Sequence, residues 1–315
     1  MMESPISEFI QIKRTRGATI SVRKRKSQFV TPFWSEGKKP VGVLCCQFHE
    51  AKWSNGCMYK CDYCYLKGTF RWQKWKGGEQ TIFSNTQEFF AEVEEFLKLE
   101  KPDVLHTGEV ADSLAVPGSE RIMGQLVERF GKQDRHTLLL LTKSNNIDEL
   151  LGLRHNRMTV IGFSINPPTI ARAFEKGAAP TEQRLAAARK CIKAGYKVMV
   201  RVDPMIPVKG WKRQYEALFD KLNNMDLFGV VVGTLRAFAG LKPMMCRELR
   251  DMLQIREKDR RWHLEQQLRA EMYALAFKTL KAERMGLCKE SGEMWAKLGM
   301  KYGFRKFICN CHLQE

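Results

Sequence analysis

Cys57, Cys61 and Cys64 stand in the run Cys57-Met-Tyr-Lys-Cys61-Asp-Tyr-Cys64, directly after a loop containing Gly56. Three thiolates this close in sequence can hold one face of an iron-sulfur cubane and leave the fourth iron open to an outside ligand, as chemistry at a cluster requires. A zinc ion would need a fourth protein donor, for which His49 is a candidate. A second group, Cys288, Cys309 and Cys311 with His312, falls near the C-terminus and is a possible second metal site. Cys191 and Cys246 read as core residues and His106 as a structural histidine. Just past the triplet, Gly68-Thr-Phe-Arg-Trp-Gln-Lys-Trp-Lys76 interleaves Phe70, Trp72 and Trp75 with Arg71, Lys74 and Lys76, a mixture that can stack bases while holding a phosphate backbone.

The elements that must position these groups follow from periodicity. Short apolar runs at Val41–Cys46, Val104–Thr107, Thr137–Leu141, Val160–Ser164, Val198–Val202 and Val230–Thr234 predict six strands. Between them, Thr86–Leu99, Arg121–Phe130, Thr181–Ala194 and Gln214–Asn223 carry apolar residues three and four apart and predict helices. Strand and helix in alternation predict an α/β fold of parallel strands joined by right-handed crossovers. Residues 11–39 read as a basic arm or short hairpin, and the chain past Lys242 as helical to about Met285.

The chain has 315 residues, 44% hydrophobic and 28% charged, enough to bury a sizeable core. Its net charge of +18 points to a polyanionic partner. The excess is concentrated at the ends: residues 1–40 hold nine basic and three acidic side chains. There is no run of 18 apolar residues, so no membrane partner is expected, and Met1–Ile10 lacks the apolar stretch of a signal peptide. Clustered cysteines in such a chain suit thiols or metal ligands in the reducing cytoplasm rather than a disulfide framework.

The triplet, with Tyr63 just before its last cysteine, resembles that of the radical S-adenosylmethionine superfamily. Thr107-Gly108-Glu109 is similar to the Gly-Gly-Glu element that receives the methionyl ammonium in that superfamily. Between Cys57 and about Leu222 the chain resembles the spore photoproduct lyase family in particular. The matching stretches include Cys61-Asp-Tyr-Cys-Tyr-Leu66, Thr142-Lys143, Arg154-His-Asn156, Phe163-Ser-Ile-Asn166, Phe174-Glu175, Arg184–Lys190, Ala194-Gly-Tyr-Lys197 and Gly210-Trp211, in family order. The resemblance implies a [4Fe-4S] cluster on Cys57, Cys61 and Cys64. It further implies S-adenosylmethionine contacts from Tyr63, Gly108, Glu109, Asp112, Lys143, Ser164 and Asn166, and a hydrogen-relay role for Tyr65. The Lys143 ammonium suits a methionyl carboxylate, and the Ser164 hydroxyl suits ribose or carboxylate oxygens.

What the resemblance implies as a whole is a partial (β/α)6 radical S-adenosylmethionine barrel over residues 41–240. A basic N-terminal arm, residues 1–40, would precede it, and a basic helical extension with a Cys-rich tail, residues 241–315, would follow. The implied activity is generation of a 5'-deoxyadenosyl radical to repair or modify a base in DNA, with thymine photoproduct reversal as the family reaction and a flavodoxin or ferredoxin as electron donor. Two features depart from the family. Where its hydrogen-donor cysteine is expected, this chain has Glu109-Val-Ala-Asp112, and its C-terminal lesion-binding segment is not recognisable. Those departures keep two alternatives open: a radical enzyme acting on an RNA base or peptide, and a non-enzymatic iron-sulfur or zinc protein that binds nucleic acid.

Overall fold

The structure is a computed structural model describing residues 18–34, 39, 41–282 and 284–299. Its centre is an open eight-stranded sheet whose strands follow chain order: β1 (Val30–Pro32), β2 (His49–Ala51), β3 (Val104–His106), β4 (Thr137–Thr142), β5 (Thr159–Ser164), β6 (Lys197–Met205), β7 (Gly229–Thr234) and β8 (Met285–Leu287). Neighbours from β2 to β8 run parallel, and β1 adds an antiparallel edge. Helices α1 (Thr86–Leu97), α2 (Ser119–Phe130), α3 (Thr181–Lys193), α4 (Trp211–Asn223) and α5 (Gln266–Thr279) lie in the crossovers. The fold is thus α/β with mixed sheets.

The central strands read as near-continuous apolar runs because both faces are covered; every residue of β5 and β7 is buried. Side chains alternate between the faces. Leu138, Leu140, Ile161, Phe163, Val198 and Val200 join the large core on the helical side. On the other face Phe48, Val104, Leu139, Val160, Met199 and Val231 form a smaller apolar plug. Further along that face, toward the strands' C-terminal ends, Ser164, Arg201 and Asp203 replace the apolar residues, and there the sheet opens onto a cavity.

Five of the six expected strands are present in this sheet. Val41–Cys46 is the exception: its Val43–Leu44 pairs with Glu290–Ser291 instead, and the first parallel strand is β2. An apolar run shows that a segment is buried but not which partner buries it. The described part of the basic arm is not detached. Thr19–Arg23, with Ile20 and Val22 half-buried, pairs with Glu79–Phe83, and β1 edges the main sheet. Lys13, Arg14 and Arg16 lie outside the described residues. The stretch past Lys242, read as helical, also departs. Ile255–Arg256 and Arg261–His263 form a hairpin that joins Arg236–Phe238, and β8 completes the parallel sheet. Arg260 turns that hairpin with a φ of 63°, a local feature that helical spacing does not reveal.

Phe163 is wholly buried on β5. Phe163→Ala is expected to lower stability by about 3–5 kcal/mol through lost burial and the cavity left behind. Ile255→Ala, at a half-exposed hairpin position, should change it by less than about 1 kcal/mol. Urea unfolding of the two variants checks both values.

Candidate functional site

The three cysteines reach the cavity from one folded loop. Cys57 ends the strand Ser54–Cys57, which pairs with Glu79–Phe83, and Lys60–Cys61 pairs antiparallel with Glu175–Lys176. The Cys64 amide donates to the Cys61 carbonyl at 3.2 Å, closing a tight turn. Gly56 is required by geometry: its φ is +83°, and a Cβ there would lie 2.5 Å from the Glu79 carbonyl oxygen. Burial pushes all three thiols up, Cys61 to about 12, so metal binding would have to displace their protons.

Beneath the loop lies a buried carboxylate. Glu175 is paired with Arg184, accepts a hydrogen bond from the Tyr63 hydroxyl, and accepts another from Asn166 Nδ2 at 3.1 Å. Burial alone would raise its pKa, but Arg184 and Lys143 prevail and hold it low. Tyr63 thereby becomes a fixed wall of the cavity, with the Lys143 ammonium 5.5 Å from its ring centroid.

Cys57, Cys61, Cys64, Tyr63, Tyr65, Gly108, Glu109, Asp112, Lys143 and Ser164, ten of the eleven residues to which the resemblance gives a cluster, cofactor or relay role, line this one cavity. Asn166 stands behind its wall, donating to Glu175 and accepting from the Tyr215 hydroxyl at 3.2 Å. Asp112 spends its carboxylate on the chain itself. It accepts from Thr142 Oγ1 at 2.6 Å, from the Lys143 amide at 2.7 Å and from the Leu114 amide at 3.0 Å, which braces the end of β4. The Tyr65 hydroxyl donates to the Glu109 carbonyl, while its ring stays partly exposed.

The opposite wall was missed from sequence. Asp203 and Arg236 form a two-pronged pair at 2.9 and 3.1 Å, Arg201 stands beside them, and Lys289 reaches Glu109 at 3.4 Å. Burial opposes ionisation of Glu109, but Lys289, His106 and Arg201 together hold its pKa below the usual range. Asp203, likewise opposed by burial, is pulled to about 2 by Arg236 and Arg201. Gly233 makes room for the pair, since a Cβ there would lie 2.5 Å from Asp203 Oδ1. A usable signal was present: Arg201 and Asp203 interrupt the apolar run of β6 at alternate positions, on one face.

Cys288, assigned from sequence to a second metal site, lines the same cavity, where Arg236 Nη2 donates to its sulfur at 3.4 Å. Cys309, Cys311 and His312 lie outside the described residues. His49, the candidate fourth zinc ligand, bonds Asp103 at 2.9 Å and does not line the cavity. Among the described residues no three His, Cys, Asp or Glu side chains converge closely enough to hold one ion. The Cys57, Cys61 and Cys64 sulfurs do share one cavity, an arrangement that suits a cluster in which each sulfur meets a different iron. A carboxylate at Glu109, an ammonium at Lys143 and a hydroxyl at Ser164 offer complementary partners to an amino-acid headgroup and a ribose.

A family model described as spore photoproduct lyase matches residues 49–231. The spore photoproduct lyase of Bacillus subtilis (strain 168) is 31% identical over 174 residues, covering 54% of this chain and 49% of its own length. That of Clostridium acetobutylicum is 33% identical over 183 residues, covering 55% and 52%. The chain thus spans about half the length of the curated relatives it matches. Among solved structures, spore photoproduct lyase complexed with dinucleoside spore photoproduct superposes with a TM-score of 0.70 at 22% identity, covering 87% of this chain and 89% of that one. A double mutant of that lyase with bound AdoMet and dinucleoside spore photoproduct gives the same values. These likenesses show the fold.

Because Asp203 titrates near 2 when folded and near 3.9 when unfolded, its contribution is complete above about pH 4 and is lost as pH falls through 2. Between pH 5 and pH 2 the wild-type chain is therefore expected to lose roughly 2 kcal/mol more stability than Asp203→Asn. Urea titrations across that range measure the difference.

Proposed function

The chain belongs to the spore photoproduct lyase family, and from that premise we propose that it is a radical S-adenosylmethionine enzyme acting on a base lesion in DNA, with thymine photoproduct reversal as the reaction. The observation that carries this reading is the convergence of Cys57, Cys61 and Cys64 with Glu109, Lys143 and Ser164 on one cavity. In this reading the three cysteines hold a [4Fe-4S] cluster, and Glu109, Lys143 and Ser164, with the Gly108 backbone and the Tyr63 ring, hold S-adenosylmethionine. Together the two groups, when bound, supply a 5'-deoxyadenosyl radical for hydrogen abstraction.

The rest falls to the protein's own side chains. Tyr63, fixed through Glu175, orients what lies against its face. Asp112 holds Lys143 in register through the backbone amide, and Asn166 steadies Glu175 from behind. The Tyr65 hydroxyl, anchored on the Glu109 carbonyl, is the proposed relay group at the cavity's edge. The Asp203–Arg236 pair and Lys289 present fixed charges on the substrate side, where their mutual pairing limits reorganisation.

A partial barrel accounts for the sheet. β3 and β8 are five strands apart, roughly 24 Å in a flat sheet at about 4.8 Å per strand. Yet Glu109, just past β3, and Lys289, just past β8, are 3.4 Å apart. The apolar plug of Phe48, Leu139, Val160 and Met199 would fill the bottom of such a barrel. Residues 41–240 carry the bulk of it; the arm, residues 1–40, adds an edge strand, and residues 241–315 add the last one. An electron donor of the flavodoxin or ferredoxin type and a cytoplasmic setting follow from the chemistry. Among the described residues no helix is long and apolar enough to cross a membrane, and no two cysteines form a disulfide.

The stretch Glu109-Val-Ala-Asp112 favours a second reading, a radical modification of another base, because it offers no thiol where the family has its hydrogen donor. Anaerobic reconstitution, reduction and addition of S-adenosylmethionine should yield 5'-deoxyadenosine, absent in Cys61→Ala. No product above that control would sink the enzyme reading. With an oligonucleotide containing spore photoproduct, thymines should be restored. 5'-Deoxyadenosine without restored thymines would move the substrate to the second reading.

A further inference from the structure

The turn after the cysteine loop is not used by the cavity chemistry. Of its three aromatics, two pack inward: Phe70 and Trp75 are buried edge to face at 6.0 Å, and Trp75 Nε1 donates to the Glu79 carbonyl at 2.7 Å. Trp72 does the opposite and is 83% exposed. Lys74 takes a left-handed backbone, φ 53°, and so reverses the chain between the outward and the inward tryptophan.

The surroundings of Trp72 are cationic. The Arg71 guanidinium stands 4.8 Å from its ring centroid, and Lys74 and Lys76 are exposed on either side of buried Trp75. Among the described residues none of these three cations has a carboxylate within ion-pair distance, whereas Lys98, Lys190 and Lys221 elsewhere on the surface do. The turn is also fixed against the cavity. Gly68 packs so closely on Phe238, a cavity-lining residue, that a Cβ would lie 2.2 Å from its ring, and Arg71 packs against Gly240.

From this placement we propose that Trp72, with Arg71, Lys74 and Lys76, forms a platform at the cavity's rim that stacks an unpaired base of a nucleic-acid strand and holds its phosphates. The inference rests on the reading of nucleic acid as substrate and adds to it a binding surface outside the cavity. An aromatic face accepts any base, and cations that have no carboxylate partner suit the phosphates on either side of it. A base extruded into the cavity leaves its neighbours partly unstacked, and such a neighbour would lie against this face.

Anisotropy titrations of a labelled oligothymidylate across a salt series test this. Trp72→Ala should bind at least threefold more weakly at every salt concentration with an unchanged slope of log K against log salt, because stacking releases no counterions. Trp72→Phe should stay within about twofold of wild type. The pair Lys74→Gln and Lys76→Gln should instead flatten the slope, by about 0.7 for each phosphate that is no longer neutralised on a single strand. A loss below threefold in Trp72→Ala, or one accompanied by a change of slope, overturns the proposal. A Trp72→Ala deficit seen on phosphatidylserine vesicles but not on the oligonucleotide would assign the turn to a membrane surface and overturn it too. If wild type binds the oligonucleotide and Trp72→Ala binds equally well, the platform falls while the nucleic-acid reading stands. If wild type does not bind at all, both fall.

Discussion

The buried Glu175–Arg184 pair is the constraint on which the site depends. A carboxylate out of water must be paired and hydrogen-bonded, or it costs several kcal/mol. Here the partners that satisfy it are the same groups that must be positioned. Tyr63 and Asn166 donate to its oxygens, its backbone pairs with Cys61, and the adjoining Phe174 carbonyl accepts from the Asp62 amide at 2.8 Å. Arg184 in turn reaches the carbonyls of Ser164 and Ala179. One ion pair therefore ties the cysteine loop, the end of β5 and helix α3 into a single unit, and the loop cannot shift without uncovering a charge.

Around that unit the cavity-bearing face of the sheet divides along the strands. The apolar plug excludes water at one end, and charged pairs line the other. Glu109 with Lys289 and Asp203 with Arg236 bring together residues that are far apart in the chain, so the C-terminal stretch belongs to the cavity as much as the cysteine loop does. Their charges are set before anything binds, and a low-dielectric wall lets such fixed charges act strongly on a bound group.

The sequence made some of this legible and hid the rest for physical reasons. Strands buried on both faces read as apolar runs, so β3 to β7 could be located, and the triplet spacing picked out three cysteines that line one cavity. Pairing was not legible: Val43–Leu44 and Met285–Leu287 are both short apolar segments, yet one leaves the main sheet and the other completes it. Lys289 and Arg236 carry no local signal of their place in the cavity, because their carboxylate partners, Glu109 and Asp203, are distant in the chain. The resemblance implies cofactor contacts from Asn166 and Asp112; that their side chains also bond Glu175, Tyr215, Thr142 and the Lys143 amide is visible only from three-dimensional neighbours. The net charge of +18 likewise does not say which cations face a partner; Arg71, Lys74 and Lys76, which among the described residues have no carboxylate within ion-pair distance, stand around an exposed tryptophan.

That Cys57, Cys61 and Cys64 jointly hold one cluster with an open iron is tested most directly by metal analysis and electron paramagnetic resonance of the anaerobically purified protein. The expected result is about four irons per chain, no stoichiometric zinc, and a reduced-cluster signal that shifts when S-adenosylmethionine is added. One zinc per chain, or a cluster signal indifferent to S-adenosylmethionine, would contradict it.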